Sequence, residues 1–275
     1  MSVDQSTQVY GIVGSRLAHT LSPEMHNAAF KVIGMNAVYK VFETKNLKES
    51  LRNMVSAGIK GLSVTIPYKT EVIPLLDEID KEALRLGSVN TIVNSSGRLI
   101  GFNTDAQGFL ASLGPDGINS YKNALIIGAG GAARAVAFSL IDNGISVTIT
   151  NRSEARGRAL AMELGCYFLP LKDLRECKAD LLVNTTPVGM WPDVDICPIP
   201  QQLLRKDMTV IDVIYNPLET RLLSIAGARG CRTIRGITMF VYQGVLQFRL
   251  WTGLNPPVQV MTETVKKCLM KKPLF

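Results

Sequence analysis

Short apolar runs alternate along this chain with longer stretches whose apolar residues recur at helical spacing. Residues 9–14, 37–43 and 61–66 read as strands, each apolar or β-branched and bounded by turn signals. Between them, 22–34 and 47–57 carry the helical pattern. In the first of these, Met25, Ala29, Val32 and Ile33 make one apolar face. Ser22 suits an N-cap and Pro23 the first helical position. A helix over 77–86 follows, then two strands, 89–93 and 99–102, around the turn Asn94-Ser-Ser-Gly97, and a helix over 104–113. Gly114-Pro-Asp-Gly117 marks a boundary. Beyond it, strands at 124–128, 146–150, 181–184, 209–212 and near Thr233 alternate with helices ending near Asn143 and spanning 153–164 and 220–229. Two further helices, 238–251 and 257–272, close the chain. This alternation predicts an α/β fold with a mostly parallel sheet covered by helices.

Within that pattern one junction carries chemistry. The buried strand ending at Ile127 runs into Gly128-Ala129-Gly130-Gly131-Ala132 and then into an apolar helix. A pyrophosphate can rest on the open N–H groups of a helix N-terminus only where no side chain blocks it, and the glycines leave that approach clear. Ala133 stands where a third glycine is common, so the motif alone is weak. The next strand ends at Asn151-Arg152-Ser153, about twenty residues on, where an NAD site would usually hold an acidic residue. Arg152, Ser153 and Arg156 stand there instead. Guanidinium forks match phosphate oxygens, which points to NADP rather than NAD; solvated helix arginines are the plain alternative.

Composition narrows the class without changing the fold. With 275 residues and 47% apolar content, the chain can bury one large core or two modest ones. Met1-Ser-Val-Asp-Gln-Ser lacks a basic region before an apolar stretch, and no run approaches membrane-span length, so a cytoplasmic protein is expected. Cys166, Cys177, Cys197, Cys231 and Cys268 are scattered, with no paired spacing and no neighbouring histidine, and read as reduced thiols without a metal site. The net charge of +7 is spread out except for Lys266, Lys267, Lys271 and Lys272, which favours an anionic small-molecule substrate and cofactor over nucleic acid.

Further candidates sit after strands, where open α/β sheets bind ligands. Thr65-Ile-Pro67-Tyr-Lys69 closes the third strand and starts a helix; Lys69 is either a site residue or a solvated helix residue. Asp105 begins the helix after Gly101-Phe-Asn-Thr, as site residue or simple cap. Thr185-Thr186-Pro and Asp212-Val-Ile214-Tyr215-Asn follow later strands and are expected to line the cofactor pocket and its cleft. Of the two histidines, His19 is read as shaping its loop and His26 as an ordinary helix residue.

Nine ordered motifs together resemble the shikimate dehydrogenases: His19-Thr-Leu-Ser-Pro23, Ser63-Val-Thr-Ile-Pro-Tyr-Lys69, Gly87-Ser-Val-Asn-Thr91, Gly101-Phe-Asn-Thr-Asp105, Gly128-Ala-Gly-Gly-Ala132, Asn151-Arg-Ser153, Asn184-Thr-Thr-Pro-Val-Gly-Met190, Asp212-Val-Ile-Tyr-Asn-Pro217, and Gly236 to Trp251 with Gln243. The resemblance implies two domains: an N-terminal mostly parallel α/β substrate domain (1–104, rejoined by 236–275) and an inserted Rossmann-type NADP-binding domain (105–235). It implies NADPH reduction of 3-dehydroshikimate to shikimate, in the pathway to chorismate and the aromatic amino acids. In the implied cleft, Thr20, Ser22 and Tyr215 take the substrate carboxylate, while Thr65, Lys69, Asn90, Asp105 and Gln243 face the ring. Lys69 and Asp105 are the implied catalytic pair. Thr186, Ile214, Gly236 and Met239 join the glycine turn and Asn151 to Arg156 as implied cofactor contacts. A homodimer is left open.

Three departures qualify the resemblance: Thr20 where Ser is usual, Ser63 where Asn is usual, and Ala106 where Gly is usual. A methyl group beside a substrate shifts preference by roughly 10–200-fold, so Thr20 keeps open a quinate/shikimate enzyme with relaxed substrate or NAD use. A non-catalytic NADP-binding regulator is the alternative from another class. Retention of both Lys69 and Asp105 argues against it.

Overall fold

Two six-stranded sheets carry the chain. The computed structural model describes residues 4, 6–15, 17–114 and 117–271; Met1, Ser2, Val3, Gln5, Pro115, Asp116 and Lys272, which enter the readings above, lie outside them. In chain order, β1 (Gln8–Gly14), α1 (Ser22–Val32), β2 (Ala37–Glu43), α2 (Leu47–Ser56), β3 (Gly61–Val64), β4 (Glu78–Ile79), α3 (Lys81–Leu86), β5 (Thr91–Ser95) and β6 (Arg98–Phe102) come first. Then follow α4 (Asp105–Ser112), β7 (Asn123–Ile127), α5 (Gly131–Asp142), β8 (Ser146–Thr150), α6 (Glu154–Leu164), β9 (Tyr167–Phe168), β10 (Leu181–Asn184), β11 (Thr209–Asp212), α7 (Arg221–Ala228) and β12 (Arg232–Ile234). α8 (Gly236–Thr252) and α9 (Val258–Lys271) complete it. The chain divides into two units, Met1–Thr104 with Gln243–Phe275, and Asp105–Tyr242. The return to the first unit falls at Tyr242/Gln243, inside α8, where the expectation put it at Gly236, the start of that helix.

In the first unit the strand order is β2-β1-β3-β5-β6-β4. β1 pairs in parallel with β2 and β3, and β4 with β6, while the β5–β6 hairpin runs antiparallel and joins β3 through β5. The hairpin has a positional consequence. Thr91 pairs with both Ser63 and Phe102, so the residues just before β5 and just after β6 arrive at the carboxyl end of β3. Side chains of β3 alternate by pleat. Leu62 and Val64 enter an apolar layer with Leu47, Leu51 and Met54, which lie on one face of α2. Gly61 and Ser63 face the other way, against α8: a Cβ on Gly61 would collide with the Trp251 ring, and Ser63 hydrogen-bonds Gln247.

The second unit is all parallel in the order β12-β11-β10-β7-β8-β9. Counted from β7 this is 3-2-1-4-5-6, the doubly wound order of dinucleotide-binding sheets, with its switch point between β7 and β10. Both faces are covered. Ala124 and Ile126 pack into one apolar layer with Val136 and Leu140 of α5, and Leu125 and Ile127 into another with Leu222 and Leu223 of α7. That double burial is why these strands read as continuous apolar runs.

Some local expectations shift. No helix starts at Lys69: residues 66–72 form turns and a single 3-10 turn follows at Ile73–Leu75, because Pro67 and Pro74 both lack an N–H to donate. The helix expected from Asp77 begins at Lys81, capped by the Asp80 carboxylate accepting from the Glu82 N–H at 2.9 Å, and Glu78–Ile79 pairs with β6 instead. Leu21 occupies the N-cap of α1 and Ser22 is its first residue, with no side-chain cap bond. No helix among the described residues is long and apolar enough to cross a membrane.

His26 is a core residue rather than an ordinary helix one. It is fully buried, stacked 4.6 Å from Tyr39 and near Phe248 and Trp251, and neither ring nitrogen has a hydrogen-bond partner among the described residues. Burial lowers its pKa from 6.5 to about 3, so the ring is neutral in the folded protein. The unfolded chain takes up a proton below pH 6.5 and the folded one does not. This contribution is therefore complete above 6.5 and is lost as pH falls toward 3. Unfolding by urea at pH 7.5 and at pH 5 should show His26→Phe gaining on the parent by about 2 kcal/mol at the lower pH; an unchanged difference would mean a partnered or solvated ring.

Candidate active site

Carboxyl ends of strands gather the expected substrate residues of the first unit. β1 ends at Gly14, and the loop after it brings the Thr20 hydroxyl to donate to Ser22 Oγ at 3.2 Å, while Thr20 Oγ1 accepts from the Ser22 N–H. β3 ends at Val64, and the turn run that follows is tied down by Thr65 N–H to Val13 O (3.0 Å) and Tyr68 N–H to Thr65 O (2.9 Å). The Val89 N–H donates to Lys69 O at 2.8 Å and the Val64 N–H to Asn90 O at 2.7 Å, so the backbones of Lys69 and Asn90 are neighbours at that end. The Asn90 amide is fixed: Oδ1 accepts from the Thr104 N–H (2.8 Å) and the Thr91 hydroxyl (2.7 Å), and Nδ2 donates to Thr104 Oγ1 (3.0 Å). Gln243 lies one turn from the buried Gln247 on α8, on the same helix face. Lys69, Thr20 and Thr65 are half-exposed, whereas Ser22, Asn90 and Asp105 are buried. His19 is exposed on its loop.

The second unit presents the expected cofactor residues. The Gly128 N–H donates to Thr150 O at 2.8 Å and its φ is +122°. A Cβ there would run into Thr185 Oγ1, so only glycine lets the turn after β7 lie against the loop after β10. Gly130 is the N-cap of α5 and has nothing within 4 Å of where its Cβ would be. That leaves the first N–H groups of α5 open to an anion, and the turn fits a pyrophosphate. At the end of β8, Asn151 Nδ2 donates to Ser153 O at 2.9 Å, and Arg152 and Arg156 are exposed and hold no ion pair among the described residues. Arg158 does pair, with Glu154 at 3.2 Å, and lies over Phe168. Gly157 has no room for a Cβ against Phe168, which lets α6 seat close to Asn151. Gly236 likewise backs onto Ile214, Met239 enters the core, and Tyr215 stacks on Phe240 at 4.2 Å. Asp105, buried, is the first residue of α4 rather than its cap.

Residues 12–92 match the shikimate dehydrogenase substrate binding domain, 116–188 the shikimate / quinate 5-dehydrogenase family, and 236–266 the shikimate 5'-dehydrogenase C-terminal domain. A Moorella thermoacetica protein named shikimate dehydrogenase (NADP(+)) is 43% identical over 283 residues, covering 98% of this chain and 96% of its own. The chain belongs to the shikimate dehydrogenase family. Among solved members, a shikimate dehydrogenase in complex with NADP+ superposes with a TM-score of 0.92 at 40% identity, covering 98% of both chains. The shikimate 5-dehydrogenase of Thermus thermophilus, in complex with NADP(H) and shikimate, gives 0.89 at 41% identity, over 96% of this chain and 100% of its own.

What sequence reasoning missed is the support beneath the loops. Asn184 and Asp212, quoted above only as motif members, are fully buried and bonded to each other at 3.1 Å. Asn184 Oδ1 accepts from the Thr186 hydroxyl (2.7 Å) and N–H (3.1 Å). The Asp212 carboxylate accepts from the Ile214 N–H (3.1 Å) and the Thr220 hydroxyl (2.7 Å). A polar residue ending an apolar strand is the signal that would have found them. Burial pushes the Asp212 pKa up from 3.8 to about 6, against the pull of its three donors. The folded state thus holds that proton more tightly than the unfolded one, and this share of stability is full below 3.8 and lost as pH rises through about 6. Asp212→Ala, which strands three donors, should lower the unfolding free energy by about 1–3 kcal/mol. Asp212→Asn should retain most of it and lose the pH dependence between about 4 and 7, both read by urea titration; equal losses in the two variants would refute the hydrogen-bonded role.

Proposed function

We propose that this protein is an NADP-dependent shikimate dehydrogenase, an oxidoreductase that interconverts 3-dehydroshikimate and shikimate. The observation that carries the reading is the pairing, in a member of this family, of Lys69 beside Asn90 at the end of β3 with two guanidiniums at the end of β8, Arg152 and Arg156, that hold no ion pair among the described residues. A carbonyl being reduced gains negative charge on oxygen, and an ammonium answers it; a 2′-phosphate is answered by guanidiniums.

When bound, NADPH supplies the hydride. Gly128, Ala129, Gly130, Gly131 and Ala132 would hold its pyrophosphate; Asn151, Arg152, Ser153 and Arg156 its 2′-phosphate; Thr186, Ile214, Gly236 and Met239 would complete its contacts. Thr20, Ser22 and Tyr215 bind the acid's carboxylate, and Thr65, Asn90 and Gln243 its ring hydroxyls. Lys69 stabilises the charge on the substrate oxygen and donates the proton that quenches it, with Asp105 orienting Lys69 and one ring hydroxyl. A cytoplasmic location and a homodimeric assembly complete the proposal. Thr20, with its methyl group, supports a second reading in which quinate is also accepted.

Lys69→Ala should cut kcat for shikimate oxidation by about 10²–10⁴-fold with NADP+ binding intact. Arg152→Ala with Arg156→Ala should raise KM for NADP+ and leave the rate with NAD+ unchanged. Full activity in the lysine variant, or equal losses with both nucleotides in the arginine variant, would overturn the assignments.

A further inference from the structure

Behind the expected substrate residues of the first unit runs a chain of buried polar groups that the reaction does not itself use. The Tyr39 phenol donates to Ser63 Oγ at 2.6 Å, and the Ser63 hydroxyl donates to Gln247 Oε1 at 2.8 Å. Gln247 Nε2 donates to Asn90 O at 3.2 Å and to Thr91 Oγ1 at 3.1 Å, and the Thr91 hydroxyl in turn donates to Asn90 Oδ1. Burial pushes the Tyr39 pKa well up, and its hydrogen bond with Ser63 pulls it back. From Tyr39 onward the donors point one way, toward Asn90. Tyr39, Ser63, Gln247, Asn90 and Thr91 are all buried.

Such a chain is costly to bury and useful only when complete. Stability alone does not call for it. A phenylalanine at position 39 would keep the stack on His26, and the rest of this face, Tyr10, Phe30, Phe248 and Trp251, is an aromatic cluster. What the chain adds is direction. It takes both hydrogens of the Gln247 amide and leaves Asn90 Oδ1 committed to Thr91 and Thr104, so the Asn90 amide has one orientation. Ser63 accepts from the phenol.

We propose that Tyr39, acting through Ser63 and Gln247, is a positioning residue that holds the ring-binding amide of Asn90 in one preorganised orientation. It rests on the shikimate reading above. The test is steady-state kinetics of Tyr39→Phe, Ser63→Ala and the double variant on shikimate and NADP+, with thermal unfolding alongside. Each single variant should raise KM for shikimate about tenfold, the size of one lost buried hydrogen bond, with kcat within about twofold and KM for NADP+ unchanged. Because both remove the same link, the double variant should be no worse than either single one. Ser63→Thr, which restores a hydroxyl, should recover most of the shikimate KM. An unchanged shikimate KM in Tyr39→Phe, or single effects that multiply in the double variant, would overturn the proposal. If Tyr39→Phe fails to fold, Ser63→Ala and its threonine rescue decide the matter alone. Absence of shikimate turnover in the parent protein would sink the functional reading instead, so the two failures are told apart.

Discussion

Apart from the Asn90 segment, which enters β5, every loop assigned chemistry in this protein leaves the carboxyl end of a strand, and a loop at a sheet's edge is only as well placed as the hydrogen bonds that hold it there. The second unit meets that constraint with one buried pair. Asn184 ends β10 and Asp212 ends β11, and their side chains bond to each other while fixing the first turns of both following loops. Gly128, at the end of β7, then has no room for anything larger, because Thr185 stands against it. The glycine turn, the Thr186 loop and the Ile214 loop are thus held by one connected set of contacts. A charge buried in this way is tolerated because three donors surround it.

The first unit solves the same problem with topology. Parallel strands alone would bring only the ends of β1, β2 and β3 to one edge. The antiparallel β5–β6 hairpin adds Asn90 and Thr104 to that edge, and their mutual hydrogen bonds hold both. Here the polar support is a relay of neutral groups instead of a buried carboxylate, set among aromatic rings with a neutral histidine in their midst. Preorganisation of this kind favours catalysis because the site need not reorder itself when the substrate arrives.

The second unit was the more legible in sequence. Its strands are covered on both faces, so β7, β8, β10 and β11 stood out as apolar runs within a residue of their observed bounds, and the glycine turn followed from the need for a bare helix N-terminus. Lys69 was placed after the right strand but in the wrong conformation, since the helical spacing around it is overruled by Pro67 and Pro74. Ser22 looked like a cap and is one residue inside its helix, with its hydroxyl turned to Thr20. His26 looked ordinary because nothing local announces a core aromatic cluster drawn from α1, β2 and α8. Least legible was the Ser63–Gln247 bond, whose partners lie 184 residues apart. Local pattern reports faces and ends of elements; pairings across such distances emerge only once the sheet is assembled.

NADP and shikimate are the proposed nucleotide and acid. Initial rates of the purified protein with shikimate and with quinate, each against NADP+ and NAD+, separate that pair from the alternatives. Shikimate with NADP+ should lead the other three combinations by a wide margin in kcat/KM; comparable rates with quinate or with NAD+ would overturn the assignment.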